Sequence, residues 1–163
     1  MKIQNLSDVF QHEIRDLYSA ENQILEALPQ MAEKANNDTL KDSFHMHLEQ
    51  TKQHIKRLEK VAETLDIPLN GAKCKDMEGL IKESQSLLKQ EPTEGLDAAL
   101  ISAAQRVEHY EIAGYGSTIT YAEMLGYQKE ADTLKKTIDE EEKTDQKLTK
   151  IAVSNVNIKA IDA

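Results

Sequence analysis

Apolar residues recur every three to four positions over four long stretches of the chain, which is the spacing of amphipathic helices. The first stretch covers about residues 7–35, the second about 38–65, the third about 98–125 and the fourth about 128–153. A shorter amphipathic piece covers residues 77–90. The alternating β-branched runs that would indicate strands are absent from the sequence. The pattern therefore predicts an all-α protein with four long helices and one short one.

The boundaries of these helices are indicated by capping and helix-breaking residues. Pro29 lies inside the first pattern, so we expect that helix to kink or to end early. Gly126 suits the end of the third long helix, and the tail after Asn155 is expected to fray. Small polar residues suit the N-caps of the first three long helices: Asn5 or Ser7, then Asp38, then Asp97.

The order of the helices predicts how they connect. The first two are joined tightly, a long crossover with the short helix follows, and the last two are again joined tightly. Short loops imply antiparallel neighbours, and one long crossover in a four-helix bundle is typical of ferritin-like folds. We therefore expect residues 1–163 to form a single ferritin-like helical bundle domain.

Composition narrows the range of functions. The net charge of −9 argues against nucleic-acid binding, because a phosphate backbone requires a positive surface. The sequence has no membrane-spanning stretch and no apolar signal region, so we expect a cytoplasmic protein without membrane contact. The one cysteine, Cys74, lies between Lys73 and Lys75, which would favour its thiolate. Because no resolving cysteine accompanies it, we interpret Cys74 as a bystander.

Polar residues interrupt the apolar stripes near the middle of the long helices. Acidic residues take stripe positions in the first, third and fourth helices, and two histidines share the apolar face of the second. Gly114 and Gly116 flank one stripe residue of the third helix and allow a close helix or subunit contact. The stripe residues are Glu21, His47, His54, Glu108, Glu111, Glu141 and Asp145.

Five acidic side chains facing one interior would repel each other, and each unpaired buried carboxylate costs several kcal/mol. They are either protonated or solvated at the bundle edge, or a multivalent cation lies among them. Carboxylates with imidazole suit iron or manganese. The structural alternative needs no metal. In it, Glu21 lies on the flank of a rotated helix, the histidines make ordinary hydrogen bonds, and the acidic run at residues 140–142 is a solvated face. At most one member of that run is expected to face inward with Asp145, and the remaining histidines are expected at the surface: His12, His45 and His109.

Several segments resemble a known family. They are 16–21, 47–51, 77–81, 107–113, 139–141 with 144–145, and 152–157. With these segments the chain resembles, over essentially its whole length, the YciF-like ferritin-like proteins of bacteria, which are associated with stress responses.

The resemblance implies a site for two metal ions, iron or manganese, in each chain. Ferritin-like carboxylate proteins hold two metals with one Glu on each of two helices and a Glu-x-x-His on each of the others. Glu21 and Glu108 match the single-Glu positions, with Glu111 as an additional ligand. His54 matches the first histidine, although Thr51 stands where the motif has Glu. The fourth helix departs from the motif as well, since it offers either Glu141 or Glu142 together with Asp145.

The resemblance and the buried carboxylates together predict a cytoplasmic di-metal stress protein, with redox activity on peroxide or oxygen and a homodimeric assembly. The alternative is a structural or interaction bundle whose acidic interior binds no functional metal. Thr51 favours the alternative, because it removes one carboxylate from the motif. The crowding of acidic residues at one depth of the bundle favours the metal.

Overall fold

The computed structural model describes residues 2–71 and 73–161, and over these ranges the chain is a four-helix bundle. The long helices are α1 (Leu6–Lys34), α2 (Asp38–Thr64), α4 (Glu94–Met124) and α5 (Gln128–Ile151), and the crossover between α2 and α4 carries α3 (Lys75–Ser84) and a 3₁₀ turn (Leu87–Lys89). A π turn (Ala152–Val156) continues α5 into the short α6 (Asn157–Ile161). Because no strand occurs within the described ranges, the all-α prediction is confirmed.

Two helix ends lie where the sequence predicts them. Asn5 caps α1: its side chain accepts the Asp8 N–H at 3.0 Å, and the Asp8 carboxylate accepts the Asn5 N–H at 3.3 Å. Each side chain satisfies a backbone donor that has no partner in the first helical turn. Beyond the end of α4, Gly126 has φ +80°, a conformation that glycine adopts without steric cost.

The predicted caps at Asp38 and Asp97 are wrong. Asn37 caps α2 and Thr93 caps α4, because these are the residues with extended backbone whose side chains accept an N–H from the first turn. Asp97 lies one turn inside α4 and is buried. Its carboxylate accepts the backbone N–H groups of Asn36 and Asn37, each at 2.8 Å, which ties the α1–α2 turn to α4.

Of the two alternatives predicted at Pro29, a kink or an early end, the early end is wrong, and so is the predicted fraying of the tail as far as Ile161. Helix α1 continues through Pro29 to Lys34, and burial of Met31 beyond the proline favours this continuation. The tail remains helical as far as Ile161, because Val156 is 1% exposed and Asn155 accepts a hydrogen bond from the Asn37 side chain at 3.0 Å; residues 162–163 lie outside the described residues.

The helices pack as two antiparallel pairs around a core of three layers. Helix α1 pairs with α2, α4 pairs with α5, and α3 lies against α1 and α4. One apolar cluster surrounds Phe44 and Leu100, and a second surrounds Phe10 and Leu134. The layer between the two clusters is polar. Helices α1 and α4 approach each other closely at Gly114, as the pair Gly114 and Gly116 predicts. A Cβ atom added at Gly114 would lie only 2.9 Å from a methyl carbon of Leu17.

No helix in residues 2–71 or 73–161 has an apolar stretch long enough to span a bilayer.

Candidate metal centre

The polar layer of the bundle contains six of the seven predicted ligand residues. Each comes from the middle of a long helix, where the amphipathic pattern turns its face toward the bundle axis. Every one is buried to at least 98%. They are Glu21, His47, His54, Glu108, Glu111 and Glu141.

These side chains form two groups that share one residue. Within each group, one nitrogen or oxygen atom per residue lies within 4.8 Å of its counterparts. Such spacing allows a single ion to contact all members of a group. Group A consists of His47, Glu108, Glu111 and Glu141, and group B consists of Glu21, His54 and Glu141.

Many ligand atoms of these groups have no hydrogen-bond partner within the described residues. Both carboxylate oxygens of Glu111 and both of Glu141 lack such a hydrogen bond, although the two side chains are fully buried. A buried polar atom without a partner costs about 1–3 kcal/mol, and a charged one costs more. Four further atoms make no hydrogen bond of suitable geometry, namely Glu21 Oε2, His47 Nε2, His54 Nδ1 and Glu108 Oε2, although His54 Nδ1 and Glu141 Oε1 form an ion pair at 2.8 Å. The layer therefore offers buried donor atoms that suit a cation.

Without a cation, protons reduce the repulsion. Burial, followed by the charge of Glu141, raises the pKa values of Glu108 and Glu111 well above 4.5, which favours the protonated form of both carboxyls. Burial opposes a charge on His54, but its contacts with Glu141 and Glu21 outweigh that effect and raise its pKa to about 10. Burial likewise opposes ionisation of Glu141, yet the neighbouring histidines lower its pKa.

His54 is oriented by a second layer of residues. Its Nε2 lies 2.8 Å from Glu140 Oε2, and Arg57 donates two hydrogen bonds to the same carboxylate, at 2.6 and 3.0 Å. The Nδ1 atom thereby faces the interior, 2.8 Å from Glu141 Oε1 and 3.3 Å from Glu21 Oε1. A carboxylate that fixes the outer nitrogen of an imidazole is the usual support of a metal-binding histidine.

Tyr115 supports Glu21 from the opposite side. Its hydroxyl donates to Glu21 Oε1 at 2.5 Å, and the tyrosine is completely buried. Burial and the nearby charge of Glu21 raise its pKa well above 10, so the phenol remains a donor. Sequence reasoning did not give Tyr115 this role. The available signal was its position four residues after Glu111, which puts both on one face of α4.

The structure distinguishes the acidic residues of α5. Glu141 is fully buried, whereas Glu142 is exposed and Glu140 lies at the edge with Arg57. The expectation that at most one member of this run faces inward is therefore confirmed, but the expectation that Asp145 faces inward with it is wrong.

Asp145 does not join either group. Its side chain is 20% exposed, accepts a hydrogen bond from Gln105 at 2.9 Å and lies 3.4 Å from the exposed His109. Asp145 lies one turn after Glu141 on α5, where the side chain of Gln105 lies at the edge of the bundle. The hydrogen bond with Gln105 holds the Asp145 carboxylate toward that edge.

A small apolar cavity reaches group A from beneath α3. Its volume is about 20 Å³, close to the space that one water molecule needs. Its walls include Ile24, Leu28, Ile81, Ala103 and Val107, and it ends at His47 and Glu108. Only a small molecule would fit there.

Comparison with known proteins identifies the family. A family model described as a domain of unknown function, DUF892, matches residues 5–161. The chain belongs to the DUF892 family. The protein YciF of Escherichia coli (strain K12) is 48% identical over 162 residues, 98% of each chain. The predicted resemblance to YciF-like proteins is therefore confirmed.

Solved structures of similar proteins confirm the fold. The crystal structure of the E. coli stress protein YciF has a TM-score of 0.91 at 47% identity, covering 95% of this chain and 99% of that one. YcfI of Rhodopseudomonas palustris, described as a proposed structural protein, has a TM-score of 0.86 at 40% identity, covering 91% and 95%. A Xanthomonas campestris protein shares the fold alone, with a TM-score of 0.79 at 18% identity over 97% of this chain and 98% of its own.

Proposed function

We propose that this protein binds two divalent iron or manganese ions in the polar layer, one at group A and one at group B. The observation that carries the proposal is the set of eight buried ligand atoms that lack a hydrogen-bond partner within the described chain. Two ions in contact with Glu141 would satisfy these atoms together. The support that Glu140 and Arg57 give to His54 fits the same purpose.

The charge of the layer favours two ions over one. The four carboxylates of the groups carry a charge of −4 when ionised, and two divalent cations supply +4. One divalent ion would leave −2 in a fully buried layer, which is costly. The ligand atoms are oxygen and nitrogen without sulfur, a set that suits iron or manganese.

The proposed activity is redox chemistry on peroxide or oxygen during stress. Bound iron or manganese would supply one-electron exchange, which the side chains of the layer lack. The residues themselves hold the ions, keep bulk water out and limit access to small molecules through the cavity beneath α3. The description of the homologue YciF as a stress protein supports this assignment.

A structural bundle is the second candidate, and one observation favours it. Thr51 occupies the position where the ferritin-like motif has Glu, which leaves group B with three residues. In this alternative, the protons on Glu108, Glu111 and His54 remain in place permanently. The description of the relative YcfI as a proposed structural protein agrees with it.

Metal binding to the purified full-length chain distinguishes the two candidates. Metal analysis should find up to two ions of iron or manganese per chain after purification without chelator. Adding manganese(II) to metal-free protein should stabilise the fold by about 3 kcal/mol at a hundredfold excess over Kd, which is roughly 10 °C in Tm for a chain of this size.

A matched pair of variants on α5 provides the control. Glu141→Gln should abolish the stabilisation, because the residue belongs to both groups, whereas Glu142→Gln should preserve it, because that side chain is exposed. A wild-type protein whose Tm responds to neither manganese(II) nor anaerobic iron(II) would establish the structural alternative.

A further inference from the structure

Thr51 has a buried hydroxyl group without a partner. The residue is fully buried on α2, and its Oγ1 finds no hydrogen-bond partner among the described residues. It lies four residues after His47 and three before His54, so the three side chains share one face of the helix. The hydroxyl therefore faces the same layer as the two imidazoles.

Other helical threonines of this chain behave differently. The hydroxyl of Thr118 donates to the Gly114 carbonyl at 2.7 Å, and that of Thr144 donates to the Glu140 carbonyl at 3.0 Å. This bond to the preceding turn is the common way to satisfy a threonine within a helix. Because Thr51 does not make it, its donor is available to a ligand.

Group B has fewer protein ligands than a metal ion requires. One histidine and two carboxylates are three residues, whereas octahedral iron or manganese takes six donor atoms. A glutamate at position 51 would give group B a third carboxylate and a fourth ligand residue. The smaller threonine leaves this coordination position without a protein ligand.

We propose that Thr51 donates a hydrogen bond to a small anion, of the hydroxide or hydroperoxide class, that binds an open position of the ion at group B. This inference rests on the proposed function. The Thr51 hydroxyl donates the hydrogen bond. The anion accepts it with one lone pair and would bind the metal ion with another. A hydrogen bond to a charged acceptor is short and roughly twice as strong as one between neutral groups. Thr51 is thus a positioning residue for the exogenous ligand.

Cobalt(II) and azide provide a test without turnover. Cobalt(II) replaces iron or manganese in oxygen and nitrogen sites, and it binds more tightly than either. Its visible absorption reports loading of the full-length protein, and the change on adding azide gives the affinity for a small anion. Thr51→Val should leave cobalt affinity unchanged and weaken azide binding by about tenfold to a hundredfold, the usual loss for a hydrogen bond to a charged group. Thr51→Ser should restore azide affinity to within about threefold.

Thr118→Val is the matched control, since it removes an equally buried hydroxyl whose bond is to its own helix. It should leave azide binding unchanged. In the metal-free state, Thr51→Val should melt at the wild-type temperature or above, because it removes an unsatisfied donor, whereas Thr118→Val should melt lower.

The outcomes separate this inference from the proposed function. If wild-type protein does not bind cobalt(II), the proposed function is wrong and the inference fails with it. If cobalt binds and Thr51→Val binds azide as tightly as wild type, the inference alone is overturned. A loss of cobalt affinity in Thr51→Val, or a lower melting temperature than that of Thr118→Val, would also overturn it, because the hydroxyl would then serve the metal or the fold.

Discussion

Two polar clusters in the described part of this bundle, one fully buried and one half-buried, differ in how far their atoms are paired. The first is the metal centre, with its unsatisfied carboxylate and imidazole atoms. The second, here called the docking cluster, consists of Asp16, Ser19, Gln23, Cys74 and Tyr110. Tyr110 donates to Asp16 at 2.5 Å, and the Cys74 sulfur lies 3.1 Å from the same carboxylate and 3.0 Å from the Tyr110 hydroxyl. The Cys74 backbone bonds to Ser19 at 2.9 Å and to Gln23 at 3.0 Å.

The difference indicates what each cluster is for. The hydrogen bonds of the docking cluster, which is half-buried apart from Cys74, hold the start of α3 against α1 and α4, which is a structural role. The unsatisfied atoms of the metal centre lie in a more deeply buried layer and are donor atoms for a ligand that is not part of the chain. The prediction that neighbouring lysines favour the Cys74 thiolate is wrong. Burial raises its pKa, while Lys73 and Lys75 pair with Glu78 at 3.0 and 2.7 Å.

The largest expected difference between the clusters is in pH dependence. In metal-free protein, Glu108 and Glu111 hold protons in the folded state, and so does His54 up to about pH 10. A folded state that binds more protons than the unfolded chain loses stability as the pH rises, by about 1.4 kcal/mol per pH unit for each such proton. The free energy of unfolding should therefore fall as the pH rises above 4.5, the ordinary pKa of glutamate. The part that His54 contributes should be lost between pH 6.5 and about pH 10.

Melting curves across this pH range, with and without manganese(II), measure the effect. Bound metal replaces the protons, so the loaded protein should show a much flatter curve. The thiol and the phenol of the docking cluster add no slope below pH 9, because burial is the main cause that raises the pKa values of Cys74 and Tyr110 above their ordinary 9.0 and 10.0. If the stability of the metal-free protein does not change above pH 6.5, the metal centre and the docking cluster do not differ in pH dependence, and the prediction is wrong.

The second prediction is that one substitution in each cluster changes stability with opposite sign. Asp16→Ala leaves the Tyr110 hydroxyl and the Cys74 thiol without their acceptor, so it should cost about 2 kcal/mol. Glu111→Gln replaces a carboxyl that burial keeps protonated above pH 4.5 by an amide that needs no proton, so above that pH the metal-free protein should be equally stable or more stable by up to about 1 kcal/mol. Denaturant unfolding of both variants in chelator measures this. An equal loss in the two would mean that Glu111 is paired structurally.

The sequence predicts the helices and most of the centre because both depend on periodicity. A period of 3.6 residues gives the face on which Glu21 or Glu111 lies, independent of the neighbouring helices. The N-cap residues are harder to predict from the sequence, because several residues that suit an N-cap follow each other at Asn36, Asn37 and Asp38. Each can accept an N–H, and tertiary contacts decide among them.

Contacts between helices were beyond the sequence, because they depend on the relative height of the helices. The pairing of Arg57 with Glu140 joins α2 to α5, and the bond from Tyr115 to Glu21 joins α4 to α1. The outward position of Asp145 has the same origin, since only the arrangement of α4 beside α5 brings Gln105 within reach. One helix read alone gives the face of a residue, but not its partner.

The third prediction concerns the layer that supports the metal centre. Glu140→Gln should lower manganese affinity by about tenfold to a hundredfold, because a weaker acceptor holds His54 less firmly in its orientation. Asp145→Asn, on the same helix, should change the affinity by less than about threefold, because that carboxylate contacts Gln105 and His109 instead. Competition with a metal indicator measures both. Equal losses would place Asp145 among the ligands and contradict the two groups described above.

The smallest effect is expected at Cys74. Its sulfur accepts the Met77 N–H at 3.5 Å as the N-cap of α3, and a serine hydroxyl performs that role better. Serine is smaller and fills a site that is 1% exposed less well, so the two contributions oppose each other. Cys74→Ser should therefore change stability by less than about 1 kcal/mol, and Cys74→Ala, which loses the three hydrogen bonds of the sulfur, should cost about 1 kcal/mol. Neither should alter metal affinity. If Cys74→Ser releases manganese(II) from an otherwise stable fold, the docking cluster and the metal centre are coupled, and the role of the docking cluster is not purely structural.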